Sequence, residues 1–278
     1  MHPGFELVTV PSGARSLRSR AHGETFHPGI GPMLEAEALH VGQQRLVERA
    51  RAAQGEFVIW DVGLGAAANA LAVWNALSGS SRPAAIRLHS FDLTLEPLSF
   101  ALSHAELLEY IEPHRARLER LRARAFVAEQ GIEWTLHLGD FRDQMCSAPK
   151  PHAILYDPYS PGTNADLWSL EHFSALAASL DPARPCLLSN YTRSTAVRVT
   201  LLLAGFHVGI GAATGDKEET TLATNDLSLL NVPLDHTWLA RVRRSTRAAP
   251  LRFAASAGPI AEADYAKLAD CLQFRSAR

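Results

Sequence analysis

Four aspartates stand at the ends of apolar runs: FVIWD closes on Asp61, IRLHSFD on Asp92, LHLGD on Asp140 and AILYD on Asp157. Carboxylates so placed accept hydrogen bonds from hydroxyl or ammonium groups and can take up a proton. One such residue is explained by its use in caps and turns; four in these contexts point to a ligand site. Asp61 leads into DVGLGAAANAL (61–71), where Gly63 and Gly65 let the backbone turn tightly and approach a ligand that a side chain would exclude. A helix follows the turn, and the free N–H groups of its first turn face whatever fills it.

Two adenosine-bearing cofactors use a turn of this kind with a ribose-holding carboxylate such as Asp92: dinucleotides and S-adenosylmethionine. As a dinucleotide fingerprint the turn is degraded, because Ala68 stands where the third glycine belongs. Gly139-Asp140, after the third strand, is where a methyltransferase reads the adenine amino group, and a dehydrogenase has no usual counterpart. Asp157, in DPYSP, ends the fourth strand at the mouth where a transferred methyl would sit. The histidines never take HxH or HExxH spacing, so no metal is expected.

The elements that position these residues alternate short apolar runs with longer amphipathic ones, the pattern of a mostly parallel sheet covered by helices. Strands are expected at 57–61, 86–92, 132–138, 153–157, 186–190, 206–210 and 220–224, with helices at 66–77, 95–109, 114–129, 166–180 and 194–204. Only GAATGDKEE separates the last two strands, so they should pair as an antiparallel hairpin. The expected fold class is therefore α/β, a Rossmann-like seven-stranded sheet of the class I S-adenosylmethionine-dependent methyltransferase type with helices on both faces. Residues 56–225 form this core. Residues 1–55 add a strand hairpin and a helix from about Pro32 to Ala53, and residues 226–278 add a basic segment and a helix from about Ile260 to Leu272.

Composition narrows the class of partner. The chain has 278 residues, 27 Lys+Arg against 29 Asp+Glu, and a formal charge of −2, so it does not grip nucleic acid by bulk positive charge. Three scattered cysteines form neither a disulfide framework nor a CxxC zinc site. No run of eighteen apolar residues and no signal-like N-terminus is present, so no membrane partner is expected and the expected location is cytoplasmic. The oligomeric state is left open. Local basic clusters remain: Arg115, Arg117, Arg120, Arg122 and Arg124 on one helix, and Arg241, Arg243, Arg244 and Arg247 near the C-terminus. The helical cluster reads as a solvated face paired with Glu112, Glu119 and Glu129; the C-terminal cluster has fewer acidic neighbours and is the better RNA surface.

The stretch DPYSPGTNADLWSLEHFSALA (157–177) resembles the signature of one methyltransferase family. That family, the MnmC/MnmD type, forms the methyl-transferring part of the bacterial enzyme that completes 5-methylaminomethyl-2-thiouridine at the tRNA wobble position. GETFHPGIGPMLEAEALHVG (23–42), DVGLGAAANALAVWNAL (61–77), SNYTRSTAVRVTLLLAGFHV (189–208) and TWLARVRRSTRAAP (237–250) resemble other segments of the same family, in order. The resemblance implies S-adenosylmethionine as cofactor and tRNA, at its anticodon region, as partner. It implies that Asp61, Gly63, Gly65 and Asn69 surround the methionine part, Asp92 the ribose, and Gly139 with Asp140 the adenine. Asp157 would be the catalytic carboxylate, and Glu35, Tyr159, Arg193 and Lys217 would face the substrate. Trp168 and Phe173 are expected to pack a helix onto the sheet.

The chain departs from the family pattern at Pro158, Tyr159 and Thr163, and in a thinned basic run at Gly215-Asp216-Lys217-Glu218. Ala67 stands in place of a glycine, which is tolerable if its backbone angles are ordinary. The expected activity is N-methylation of a 5-aminomethyl group on the wobble uridine, by a chain without the flavin-dependent oxidase half. The alternatives are the same fold acting on another amine, in a small molecule or a protein, and a nicotinamide-dependent oxidoreductase.

Overall fold

A computed structural model describes residues 4–79, 84–215, 218–253 and 258–275. Its strands are β1 (Phe5–Thr9), β2 (Arg15–Ser19), β3 (Glu56–Val62), β4 (Ala85–Asp92), β5 (Phe126–Glu129), β6 (Ile132–Leu138), β7 (Ala153–Tyr156), β8 (Leu187–Asn190), β9 (His207–Gly211) and β10 (Thr220–Thr224). β1 and β2 form a separate antiparallel hairpin; the others form one sheet in the order β5-β6-β4-β3-β7-β8-β10-β9. β6, β4, β3, β7 and β8 run parallel, and β10 pairs antiparallel with both β8 and β9. β3 is buried on both faces, as its near-continuous apolar run requires in the middle of a helix-covered parallel sheet. One face packs Phe57, Ile59, Trp74 and Trp134; the other packs Trp60, Tyr156, Trp168 and Phe173. Trp168 and Phe173 thus pack the Leu170–Ser179 helix onto the sheet.

The sheet has eight strands where seven were expected. The helix predicted over 114–129 spans only Arg115–Arg124, and β5 takes the remainder. Ala125 (φ 55°) ends the helix, and Gln130 and Gly131, with φ of 52° and 75°, turn β5 back onto β6. Two consecutive positive-φ residues match the right-handed twist of a hairpin, and Val127 is held on the buried side.

The helix expected from Pro32 to Ala53 is also divided. An α-helical turn (Pro32–Ala36) runs into a π-helical one (Glu37–Gly42), and left-handed Arg45 precedes the Leu46–Ala52 helix. At this break buried Gln44 donates to the Ile154 carbonyl at 3.0 Å and to Ser189 Oγ at 2.6 Å. Hydrogen bonds to a strand backbone and a side chain on the sheet there replace continued helix. In the C-terminal segment a helix at His236–Val242 carries part of the basic run, and the last predicted helix spans Glu262–Ala269. Gln273, on the short turn that follows, accepts from Val208 N–H and donates to the Val208 carbonyl, which ties this end of the chain to β9. Among the described residues no helix is long and apolar enough to cross a membrane.

Candidate active site

The C-terminal ends of β3, β4, β6 and β7 open into a cavity of about 860 Å³, near the upper end for small-molecule sites. Its floor is the turn after β3. Gly63 adopts φ 92°, and a Cβ there would lie 2.7 Å from the Asp157 carbonyl oxygen, so only glycine lets the ends of β3 and β7 come this close. Gly65 (φ 53°) donates its N–H to Asp92 Oδ2 at 2.8 Å, and Thr94 N–H reaches Oδ1 at 3.2 Å. Burial pushes the Asp92 carboxyl above the usual range, with these amides opposing the shift.

The third position of the turn corrects the expectation. Ala67 has φ 66° and ψ 15°, the left-handed region, and is fully buried at the start of the Ala68–Leu77 helix. An L-residue held there costs about 1–2 kcal/mol, so the geometry of the glycine is retained although the glycine is not.

At the end of β7, Asp157 faces the cavity. Asn69 Nδ2 donates to its Oδ2 at 2.8 Å, and His27 Nε2 lies 3.9 Å from the same oxygen. Because Nδ2 faces the carboxylate, Asn69 Oδ1 must point elsewhere; it is buried without a hydrogen-bond partner. Across the cavity Gly139 (φ 135°) leads to Asp140, which caps the next helix through Arg142 N–H at 2.9 Å. The Arg142 guanidinium bonds both Asp140 oxygens and holds that carboxyl below its ordinary range.

Asp61 is not on the cavity wall. It lies beside Ser90 in the β3–β4 register, fully buried, and accepts from Ser90 Oγ at 2.7 Å, while its Oδ1 has no partner. Its expected place at the cofactor is therefore corrected to a layer beneath the turn. Desolvation raises its pKa to about 7. The folded chain then binds a proton that the unfolded chain has already released between about pH 4 and 7, so this residue's contribution to stability falls as pH rises through that window. Asp61→Asn should flatten this dependence: the melting temperature of the variant, relative to the parent, rises from pH 5 to pH 8. Parallel pH profiles of the two proteins would disprove the assignment.

Residues 19–28 roof the cavity. Tyr159 packs against His22 (ring centroids 4.6 Å apart) and Phe26 (5.6 Å), and burial pushes its phenol up to about 12. Glu24 accepts from Ser160 N–H at 3.1 Å, Ser160 Oγ at 2.6 Å and Thr163 Oγ1, pinning the roof to the loop after β7. Burial pushes the Glu24 carboxyl upward, and these bonds outweigh it, leaving the pKa below its ordinary value. Glu35, buried, lines the same cavity. Glu24, Phe26 and His27 were missed as site residues; their only signal is the GETFH run.

One expected substrate residue lies elsewhere. Arg193 faces a smaller neighbouring groove, because the chain turns away from the large cavity after Tyr191. Lys217 lies outside the described residues. Among the described residues no group of three or more His, Cys, Asp or Glu side chains is placed to hold a metal ion.

The chain is similar to known proteins. A family model described as "S-adenosyl-L-methionine-dependent methyltransferase" matches residues 105–226. The chain is 30% identical over 212 residues to the tRNA 5-methylaminomethyl-2-thiouridine biosynthesis bifunctional protein MnmC of Azoarcus sp. (strain BH72), covering 72% of this chain and 33% of that protein. The corresponding protein of Methylibium petroleiphilum is 27% identical over 238 residues, covering 81% of this chain and 35% of that one. The chain thus spans about a third of the length of these relatives. Among solved structures, MNMC2 from Aquifex aeolicus superposes with a TM-score of 0.70 at 24% identity, over 98% of this chain and 86% of that one. It shares the α/β fold with its mainly parallel sheet.

Proposed function

This chain is an S-adenosylmethionine-dependent methyltransferase similar to the methyltransferase part of MnmC, and we propose that it methylates the 5-aminomethyl group of the wobble uridine of tRNA. The residues present fit the cofactor. Gly63, Gly65 and Asn69 line the cavity at the turn after β3, where the methionine part would lie. Asp92, in turn, presents a carboxylate suited to ribose hydroxyls. Asp140 and Gly139 stand on the opposite wall, where an adenine amino group would find an acceptor. When bound, the cofactor supplies an electrophilic methyl group on a sulfonium.

The chain's own task is to present a neutral amine. A primary alkyl amine has a pKa of about 10, so at neutral pH it arrives as an ammonium with no lone pair to offer. The placement of Asp157 carries the proposal: a carboxylate at the end of β7, oriented by Asn69 and open to the cavity, can accept the ammonium N–H and take its proton. Phe26 and Tyr159 give the same space apolar walls, and desolvation against them would weaken the ammonium relative to the amine. The base itself is already unpaired in an anticodon loop, so bringing it into the cavity costs little.

The test is transfer of a labelled methyl group to tRNA lacking the final modification, with S-adenosylmethionine binding followed by titration calorimetry. Binding together with label in the wobble nucleoside is the expected result. Binding with no label in tRNA would reject the acceptor.

A further inference from the structure

Beside the large cavity, the start of the Thr195–Leu203 helix and the His236–Val242 helix enclose a groove of about 240 Å³ lined by Arg193, Arg198, Arg241, Glu219, Trp238 and Ser245. Arg198 is almost fully buried and held from three sides: Nε donates to Thr221 Oγ1 at 3.0 Å, Nη2 to the Thr220 carbonyl at 2.9 Å, and Nη1 pairs with Glu219 at 3.0 Å. Burial lowers its pKa; Glu219 opposes this, and Arg193 and Arg241 add to the lowering, so the three guanidinium groups feel one another. Arg193 is exposed and reaches Glu218 at 3.5 Å, whose side chain is 89% exposed. The Arg241 side chain has no carboxylate partner among the described residues.

Part of the other basic clusters is already engaged. Arg115 pairs with Glu112, Arg117 and Arg120 with Glu129, and Arg243 with Glu262. Arg117 also lies over the Trp74 ring, 4.1 Å from its centroid. Three like charges converging on one small groove, one of them fixed and two available, are what a phosphate needs and what a folded chain otherwise avoids.

We infer that this groove binds a backbone phosphate of the RNA next to the nucleotide whose base occupies the large cavity. The inference rests on the RNA substrate proposed above. Its geometry comes from the loop after β8: Tyr191 lines the large cavity and Arg193 the groove, and two residues of chain span at most about 7 Å. A phosphodiester attached to the reacting nucleotide is therefore within reach of Arg193 and Arg241, and it displaces the exposed Glu218.

The experiment is fluorescence anisotropy of a labelled anticodon stem-loop RNA across about 50 to 200 mM salt. Arg193→Ala with Arg241→Ala should weaken binding about tenfold or more and reduce the salt slope by about 0.7, the value for one lost single-strand phosphate contact. Arg122→Ala with Arg124→Ala, an equal charge loss on an exposed part of another helix, should leave affinity within about twofold. Glu218→Lys should tighten binding. Equal losses from the two arginine pairs, or none from the groove pair, would overturn the inference. Should the groove variant lose S-adenosylmethionine affinity through misfolding, Glu218→Lys decides alone: unchanged or weaker binding rejects the groove. RNA binding through the groove without methyl transfer would reject the wobble-amine reading and leave the groove standing; transfer with unaltered binding in the groove variant would do the reverse. No RNA binding by the parent protein would overturn the groove.

Discussion

Asp157→Asn should lower kcat for methyl transfer by about 10²–10⁴, the range expected when a positioned proton acceptor is removed. The amide keeps the volume of the carboxylate and can still accept from Asn69 Nδ2, now 2.8 Å from Oδ2, so the cavity keeps its shape. S-adenosylmethionine affinity should stay within about tenfold. The pH profile separates a lost base from a lost contact. Without an internal acceptor the residual rate should follow the free amine and climb about tenfold per pH unit toward its pKa of about 10. A kcat within a few-fold of the parent, or a flat residual profile, would remove Asp157 from proton transfer.

Gly63→Ala is expected to be equally damaging, through the backbone. The added Cβ would lie 2.7 Å from the Asp157 carbonyl oxygen and 3.0 Å from its carbonyl carbon, and φ is 92°. Neither neighbour is a flexible side-chain end, so β3 and β7 must part or the turn must rebuild. A left-handed conformation costs an L-residue about 1–2 kcal/mol, and overpacking adds about 1–3. At about 2–4 °C per kcal/mol for a chain of this size, the melting temperature should fall by roughly 4–20 °C. Because the displaced atoms belong to Asp157, turnover should fall further than stability alone dictates, and S-adenosylmethionine binding should be lost. A variant that melts within 2 °C of the parent, measured by scanning calorimetry, would show that the turn does not need glycine here.

The parallel strands were readable because each is a short apolar run closed by a turn residue, and the site residues that were readable are those fixed by strand ends. Gly63, Asp92, Gly139 and Asp157 reach the cavity simply because parallel strands end together on one edge. β5 was hidden because FVAE continues an Arg-rich helical pattern, and its only cue is the Gln130-Gly131 turn. Asp61 shares the strand-end logic but lies one residue too early, inside the sheet beside Ser90. Ala67 was misread because composition gives no hint that an alanine will be held in a glycine's conformation. Glu24 and His27 sit in a loop without periodicity, and their place in the cavity is set by packing against residues far along the chain. Arg193 follows the resemblance to a substrate residue, but two steps past Tyr191 the backbone has left the main cavity.

The roof over the cavity has a consequence for how the chain is made. Glu24 is bonded to Ser160, 136 residues downstream, and Gln44 to Ser189, 145 downstream. At about 5–20 residues per second of synthesis, the N-terminal hairpin waits roughly 7–27 seconds before its seat exists. During that interval Phe5, Leu17 and Leu46, all buried in the finished molecule, have no completed core to enter. This hairpin, translated well before its seat, thus docks late. The cavity acquires its roof only once the loop after β7 has been made, and Phe5, Leu17 and Leu46 gain their buried positions no earlier than that core.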